Sequence, residues 1–179
     1  MELALRFAAG GEAELEEAIA IYGERLVRYA ASILCSYQDA EDVVQAAFLY
    51  AYENRRRFNG GNLQGWLKRI TYCDCLDRLK SQKRRRIHFF FDINEEPSVH
   101  MQDTLVISEI DNALKQLNPK ERALLYGRII EGYSYEELSQ IMGPSPVALR
   151  KQYERVKKKA VKFLTECGYE ADFVKRRTT

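Results

Sequence analysis

Apolar side chains recur every three or four residues along most of the chain, and alternating runs of β-branched residues are missing. That period predicts helices. A short one is expected over 2–9, ended by Gly10-Gly11. A long one follows over 12–35, with Leu15, Ile19, Tyr22, Leu26, Tyr29 and Ile33 along one side. A third is expected over 39–56, closed by the turn formers Asn59-Gly60-Gly61-Asn62. A fourth begins near Leu63 and runs into the basic stretch ending at Arg86. Residues 87–104 then lose the period, turn acidic and carry Pro97, which marks an interdomain linker. The Phe89-Phe90-Phe91 run inside it is expected to pack on one of the domains. The pattern therefore predicts an all-α chain: two small helical domains, 1–86 and 105–179, joined by a flexible linker.

The second block announces its helix starts. Asn118-Pro119-Lys120-Glu121 offers an N-cap, a proline at the first helical position and a glutamate that closes a capping box. Ser134 and Glu137 repeat the capping box, and Ser145-Pro146 supplies a third cap. A short helix from Tyr135 to about Met142, the turn Gly143-Pro144 and a longer helix together make a helix-turn-helix signature. On the longer helix, Leu149, Tyr153, Val156, Ala160, Phe163 and Leu164 form an apolar stripe. The opposite side carries Val147, Lys151, Glu154, Arg155, Lys158 and Lys162, flanked by Arg150. A run of lysines by itself is commonly a solvated face. In a helix-turn-helix, however, the first turns of the second helix enter the major groove. Val147, Ala148, Arg150, Lys151, Glu154 and Arg155 occupy those turns. Arginine and lysine donate to guanine, glutamate accepts from cytosine, and small apolar groups meet the thymine methyl. Lys157 to Lys159 lie farther along and are assigned to phosphates or solvent.

Composition narrows the picture by exclusion. The formal charge of +2 over 179 residues is nearly neutral, so attraction to nucleic acid has to come from local clusters. Cys35, Cys73, Cys75 and Cys167 lack zinc-ribbon or paired-disulfide spacing, and neither His88 nor His100 completes a metal set with Cys73-x-Cys75. Reduced thiols, no metal and no cofactor are expected. The N-terminus lacks a basic region followed by an apolar stretch, and the longest apolar run, 26–35, contains Arg28. No membrane insertion and a cytoplasmic location are expected. No convergent His, Ser or Cys constellation and no phosphate loop points to an enzyme.

The first block shows two further faces. On the helix over 39–56, Val44, Ala47, Phe48 and Ala51 point inward. The other side reads Glu41, Asp42, Gln45, Leu49, Tyr52 and Arg56. Acidic groups ringing a leucine and a tyrosine make a candidate protein interface. On the helix from Leu63, the side formed by Leu63, Trp66, Leu67, Ile70 and Cys73 is core, and Trp66 is read as core too. Asp74 and Asp77 continue that side and are expected to pair with Arg25 or Arg28. Lys68, Arg69, Tyr72, Arg78 and Lys80 lie on other sides, followed by the basic run 83–86. Basic groups interleaved with an aromatic suit a single strand, charge tracking phosphates and rings stacking on bases.

Three segments carry a family resemblance: YQDAEDVVQAAFLYAYENRRRF (37–58), GWLKRITYCDCLDRLKSQKRRR (65–86) and GYSYEELSQIMGPSPVALRKQYERVKKKA (132–160). Their order and spacing resemble the small two-domain bacterial sigma factors of the extracytoplasmic-function type, over about residues 10 to 165. The resemblance implies core RNA polymerase as a partner, docked on Glu41, Asp42, Gln45, Leu49 and Tyr52. It implies promoter DNA in two forms. The minus-ten element would be held as a melted non-template strand by Phe58, Asn59, Asn62, Lys68, Arg69, Tyr72, Arg78 and Lys80. The minus-thirty-five element would be read as duplex by Ser145, Val147, Ala148, Arg150, Lys151, Glu154, Arg155 and Lys158. An anti-sigma factor is a further partner common in the family. Cys73, Tyr72, Pro144 and Pro146 depart from the usual pattern and bear on promoter preference. The alternative reading is a stand-alone helix-turn-helix regulator, which would bind duplex DNA without polymerase.

Overall fold

The computed structural model describes residues 3–92 and 115–166, the side chains of 85–92 and of Leu164 excepted. The linker residues 93–104 and Cys167 lie outside the described residues. The elements are α1 (Leu3–Ala9), α2 (Glu12–Leu34), α3 (Tyr37–Glu53), a 3-10 turn (Arg55–Arg57), α4 (Leu63–Asp92), α5 (Pro119–Ile129), α6 (Tyr135–Met142) and α7 (Pro146–Glu166). The described residues contain helices and no strand, as the periodicity predicts.

The predicted caps form. Asn118 accepts from the Glu121 amide at 3.0 Å while Glu121 accepts from the Asn118 amide at 2.8 Å. Ser134 and Glu137 close the same reciprocal box. Ser145 accepts from the Ala148 amide at 3.3 Å. Each such cap is worth about 1 kcal/mol. Gly143, at φ +98°, turns the chain between α6 and α7 where a side chain would be strained.

Four expectations are corrected. Cys73, expected on the core side of the helix from Leu63, is exposed, and Cys75 is buried instead. The helix expected over 39–56 starts earlier, at Tyr37, because Ser36 caps it by accepting from the Asp39 amide. It ends at Glu53; Arg55 then leaves the helical path, its Nε donating to Gly10 O at 2.8 Å and its Nη1 to Tyr52 O at 2.7 Å. The linker expected from residue 87 begins inside α4, which continues to Asp92. Extending an existing helix adds one hydrogen bond per residue fixed, and no proline or glycine intervenes before Pro97. The pairing of Asp74 and Asp77 with Arg25 or Arg28 does not form. Arg28 pairs with Glu24 at 3.3 Å and Asp77 with Lys80 at 2.8 Å, both one helical turn away. Asp74 stays half-buried, and among the described residues no salt bridge joins it to an arginine. Burial, then the Asp77 charge, pushes its carboxyl above the usual range.

The core of the first block is built from α2 (Leu26, Tyr29, Ala30, Ile33), α3 (Val43, Val44, Ala47, Phe48, Ala51) and α4 (Leu63, Leu67, Ile70, Cys75). Phe7 of α1 meets Trp66 edge-on at 6.4 Å, and Phe58 stacks on its other side at 5.1 Å, so Trp66 is packed as predicted. Leu124, Leu125, Leu138, Leu149, Tyr153 and Val156 form a second cluster that holds α5, α6 and α7 together. The two blocks touch. Ala123 and Ile141, from the second block, belong to the core cluster of the first, and Tyr126 lies against Tyr29 at 5.9 Å.

Candidate nucleic-acid interface

The helix-turn-helix is assembled as its periodicity requires. Leu149, Tyr153 and Val156 are buried against α5 and α6, whereas Val147 on the opposite side is 66% exposed. Ala148, Arg150, Lys151, Glu154, Arg155 and Lys158 are exposed on α7, and the Ser145 cap opens onto solvent with them. All of the predicted duplex-reading set is therefore accessible. The Arg150 guanidinium lies over the Tyr135 ring at 5.3 Å, which ties its position to α6. Behind it, Arg128 stacks on Tyr135 at 4.5 Å and donates to the Tyr133 carbonyl, bracing the turn between α5 and α6. The lysine cluster divides: Lys159 bonds Glu121 at 3.0 Å and fastens α7 to α5, while Lys158 faces solvent.

In the first block, the loop between the 3-10 turn and α4 borders a cleft of about 420 Å³. Phe58, Asn59, Asn62 and Arg69 line it together, with Arg57 and Trp66. The loop is shaped by its own side chains: Asn59 accepts from the Gly61 amide at 3.1 Å and Asn62 from the Gly65 amide at 2.9 Å. Phe58 is 6% exposed beneath Trp66, and Asn59, Asn62 and Arg69 are exposed. An aromatic floor with amide groups and a guanidinium at the rim is suited to a base and its phosphate.

The other four predicted strand contacts sit elsewhere. Lys68 is 1% exposed; its Nζ lies 3.3 Å from Glu131 and 3.2 Å from the Tyr133 hydroxyl, between the rings of Tyr29 and Tyr133. Burial pulls its ammonium below the ordinary lysine range, against the opposing pull of Glu131. Tyr72 is 4% exposed, and burial pushes its phenol up to about 12. Arg78 donates to Asp39 at 3.0 Å and to Asp42 at 3.1 Å. Lys80 is exposed and paired with Asp77.

On α3, Glu41, Asp42, Gln45 and Leu49 are exposed, Leu49 at 54%. Tyr52 is half-buried beneath the Arg55 guanidinium, 4.3 Å from its ring centre. Tyr50, which the pattern reading passed over, is 48% exposed beside Leu49. The sequence reading also missed Arg122, buried at 8% and reaching across to α2. Its signal was present: an arginine three residues before Leu125 falls on the apolar side of α5.

An exposed helix-turn-helix face in one helical block and an aromatic-floored cleft in the other are the two candidate nucleic-acid surfaces. Family models match residues 18–85 as Sigma-70 region 2 and residues 107–159 as Sigma-70, region 4. The chain belongs to the sigma-70 family, in the two-region form of the extracytoplasmic-function type. Among its relatives, the ECF RNA polymerase sigma factor SigE of Mycolicibacterium smegmatis is 28% identical over 149 residues, 78% of this chain and 57% of that protein. The RNA polymerase sigma factor CarQ of Myxococcus xanthus is 28% identical over 169 residues, 92% of this chain and 97% of that protein. Two solved structures share the fold, each at a TM-score of 0.70. One is the sigma factor RpoE in complex with the anti-sigma factor NepR from Bartonella quintana, at 21% identity over 84% of this chain and 96% of that one. The other is CnrH in complex with the cytosolic domain of CnrY, at 22% identity over 92% and 96%. Among the described residues no helix is long and apolar enough to cross a membrane.

Proposed function

We propose that the protein binds core RNA polymerase in the cytoplasm and directs promoter-specific transcription initiation, with no chemistry of its own. The observation that carries this is the pairing of a region 2 and a region 4 in one chain, the second presenting an open α7 reading face. Val147, Ala148, Arg150, Lys151, Glu154 and Arg155 read the upstream element as duplex, with Ser145 and Lys158 at its edges. The first block holds the non-template strand of the downstream element, its cleft at Phe58, Asn59, Asn62 and Arg69 receiving an unpaired base. Extruding a base costs a few kcal/mol, which stacking and hydrogen bonding in such a cleft offset. The α3 face around Glu41, Asp42, Gln45, Leu49 and Tyr52 docks on polymerase. An anti-sigma factor is a fitting regulator, since one structural relative, RpoE, is seen with one.

The test is transcription in vitro with purified core polymerase over a library of promoters. Initiation from a defined promoter set only when this protein is added supports the proposal. A polymerase-independent footprint on a palindromic duplex, without stimulated initiation, overturns it in favour of a stand-alone regulator.

A further inference from the structure

We propose that Tyr135, the first residue of α6, is a positioning residue for promoter recognition: its ring holds the Arg150 guanidinium in the orientation that reads one base pair, and so sets the sequence preference there. The inference rests on the proposed function for the role of α7 as the duplex-reading helix. The Arg150 guanidinium lies over the Tyr135 ring at 5.3 Å. Among the described residues no carboxylate pairs with it, although Glu154 stands one turn along the same helix. A carboxylate partner would occupy the N–H edge of the guanidinium, the edge that guanine O6 and N7 would take. An aromatic ring takes the flat face instead and leaves the donor edge free. Arg150 is thus held in orientation while remaining exposed to solvent. Its neighbours differ: Lys151 and Arg155 are also exposed, and among the described residues neither has a ring or an acid as partner.

The ring is itself held by three contacts. The capping box of Ser134 and Glu137 fixes the turn from which Tyr135 leaves α6. The Tyr153 ring, on a side chain only 8% exposed, meets it edge-on at 6.2 Å. Arg128 of α5 lies over Tyr135 at 4.5 Å and over Tyr153 at 5.9 Å, and it donates to the Tyr133 carbonyl. Tyr135 therefore joins all three helices of the second block at the arginine. A bidentate pair with guanine needs the guanidinium coplanar with the base, so a freely rotating arginine loses rotamer entropy on binding. Stacking on Tyr135 incurs that loss during folding, before DNA arrives. The gain appears only with a base that accepts both donors, because a mismatched base forms no bidentate pair with the same held plane. Tyr135 thus raises discrimination at one position more than general affinity for DNA.

The experiment uses the full chain assembled with core RNA polymerase and a pool of duplex promoter fragments randomised over the upstream element, the bound fragments being sequenced. Arg150→Ala marks the position that this arginine reads, as the one whose preference disappears. Tyr135→Phe keeps the ring and is expected to keep that preference. Tyr135→Leu removes the aromatic face and should weaken it about fivefold, with preferences at other positions unchanged. Leucine also alters packing against Tyr153, so a second variant carries ring-fluorinated phenylalanine at position 135, which keeps the shape and withdraws negative charge from the face. It should weaken the same preference with unchanged helicity by circular dichroism. An undiminished preference in the fluorinated variant overturns the proposal, as does equal flattening at every position, which marks general scaffolding. A loss in Tyr135→Phe as deep as in Tyr135→Leu assigns the effect to the hydroxyl and overturns it too, and so does Arg150→Ala leaving every preference intact. Selection without core polymerase, run alongside, reports separately: fragments enriched equally without core, and silent in transcription with it, would sink the sigma-factor reading while the variant comparison still decides the role of Tyr135.

Discussion

Two glycines in helices should respond to the same substitution with opposite sign. Gly127 lies inside α5, where a Cβ would stand 2.7 Å from Leu138 Cδ2, closer than two carbons can approach. Leu138 is only 1% exposed and packed among Leu117, Leu124 and Leu149, so it cannot turn away. Gly127→Ala gains about 1 kcal/mol from helix propensity. Against this, forcing a methyl into a filled core costs about 1–3 kcal/mol. The balance is a net loss of about 1 kcal/mol, or about 2–4 °C in Tm for a chain of this size. Gly23 of α2 is the control: its Cβ would meet Ile19 Cγ2 at 3.7 Å, an ordinary contact. Gly23→Ala should therefore show the propensity gain alone, about 1 kcal/mol of stabilisation. Calorimetric scans of both variants decide the matter. A Tm for Gly127→Ala above wild type would mean that the α5–α6 approach has slack, contrary to the packing described. Because that approach sets where α6 holds α7, the destabilised variant should also lose duplex affinity.

Other outcomes follow from individual contacts. Arg150→Ala or Lys151→Ala should weaken promoter binding by about 1–3 kcal/mol if the residue reads a base; unchanged selectivity in a binding-site selection would remove both from the reading set. Leu49→Arg places a charge on the exposed apolar anchor of α3 and should weaken assembly with core polymerase while duplex binding through α7 persists; equal core affinity in a pull-down titration would refute the docking assignment. Asp74 has a raised carboxyl pKa, so the native state holds its proton more tightly than the unfolded chain does. Its contribution is fully present below the ordinary carboxylate range and is lost as pH rises through the native value. Asp74→Asn should therefore raise Tm at pH 7 and leave it nearly unchanged near pH 3; a loss at pH 7 would reveal a partner that needs the carboxylate.

Much of this protein was legible from local rules. Helix starts at Asn118, Ser134 and Ser145 are written in three-residue capping patterns, and each formed as read. The division of α7 into a buried Leu149–Tyr153–Val156 side and an exposed Val147–Lys151–Glu154 side follows from a rotation of about 100° per residue. These features depend on neighbours within a turn or two, so the order of residues determines them. The start of the linker was misjudged because acidity and a nearby proline suggest one, whereas no proline or glycine interrupts α4 between Arg86 and Asp92. What only the tertiary structure decided is which surfaces meet. Nothing in the spacing of Lys68 and Glu131, or of Arg122 and Ile33, says that they touch, because they lie in different blocks far apart in sequence. An amphipathic pattern tells that a side chain leaves the core of its own domain; it does not tell whether water, DNA or another part of the same chain waits there. For Lys68 the spacing pointed to a strand contact, whereas the fold buries it over the Tyr29 ring and places Glu131 against its ammonium.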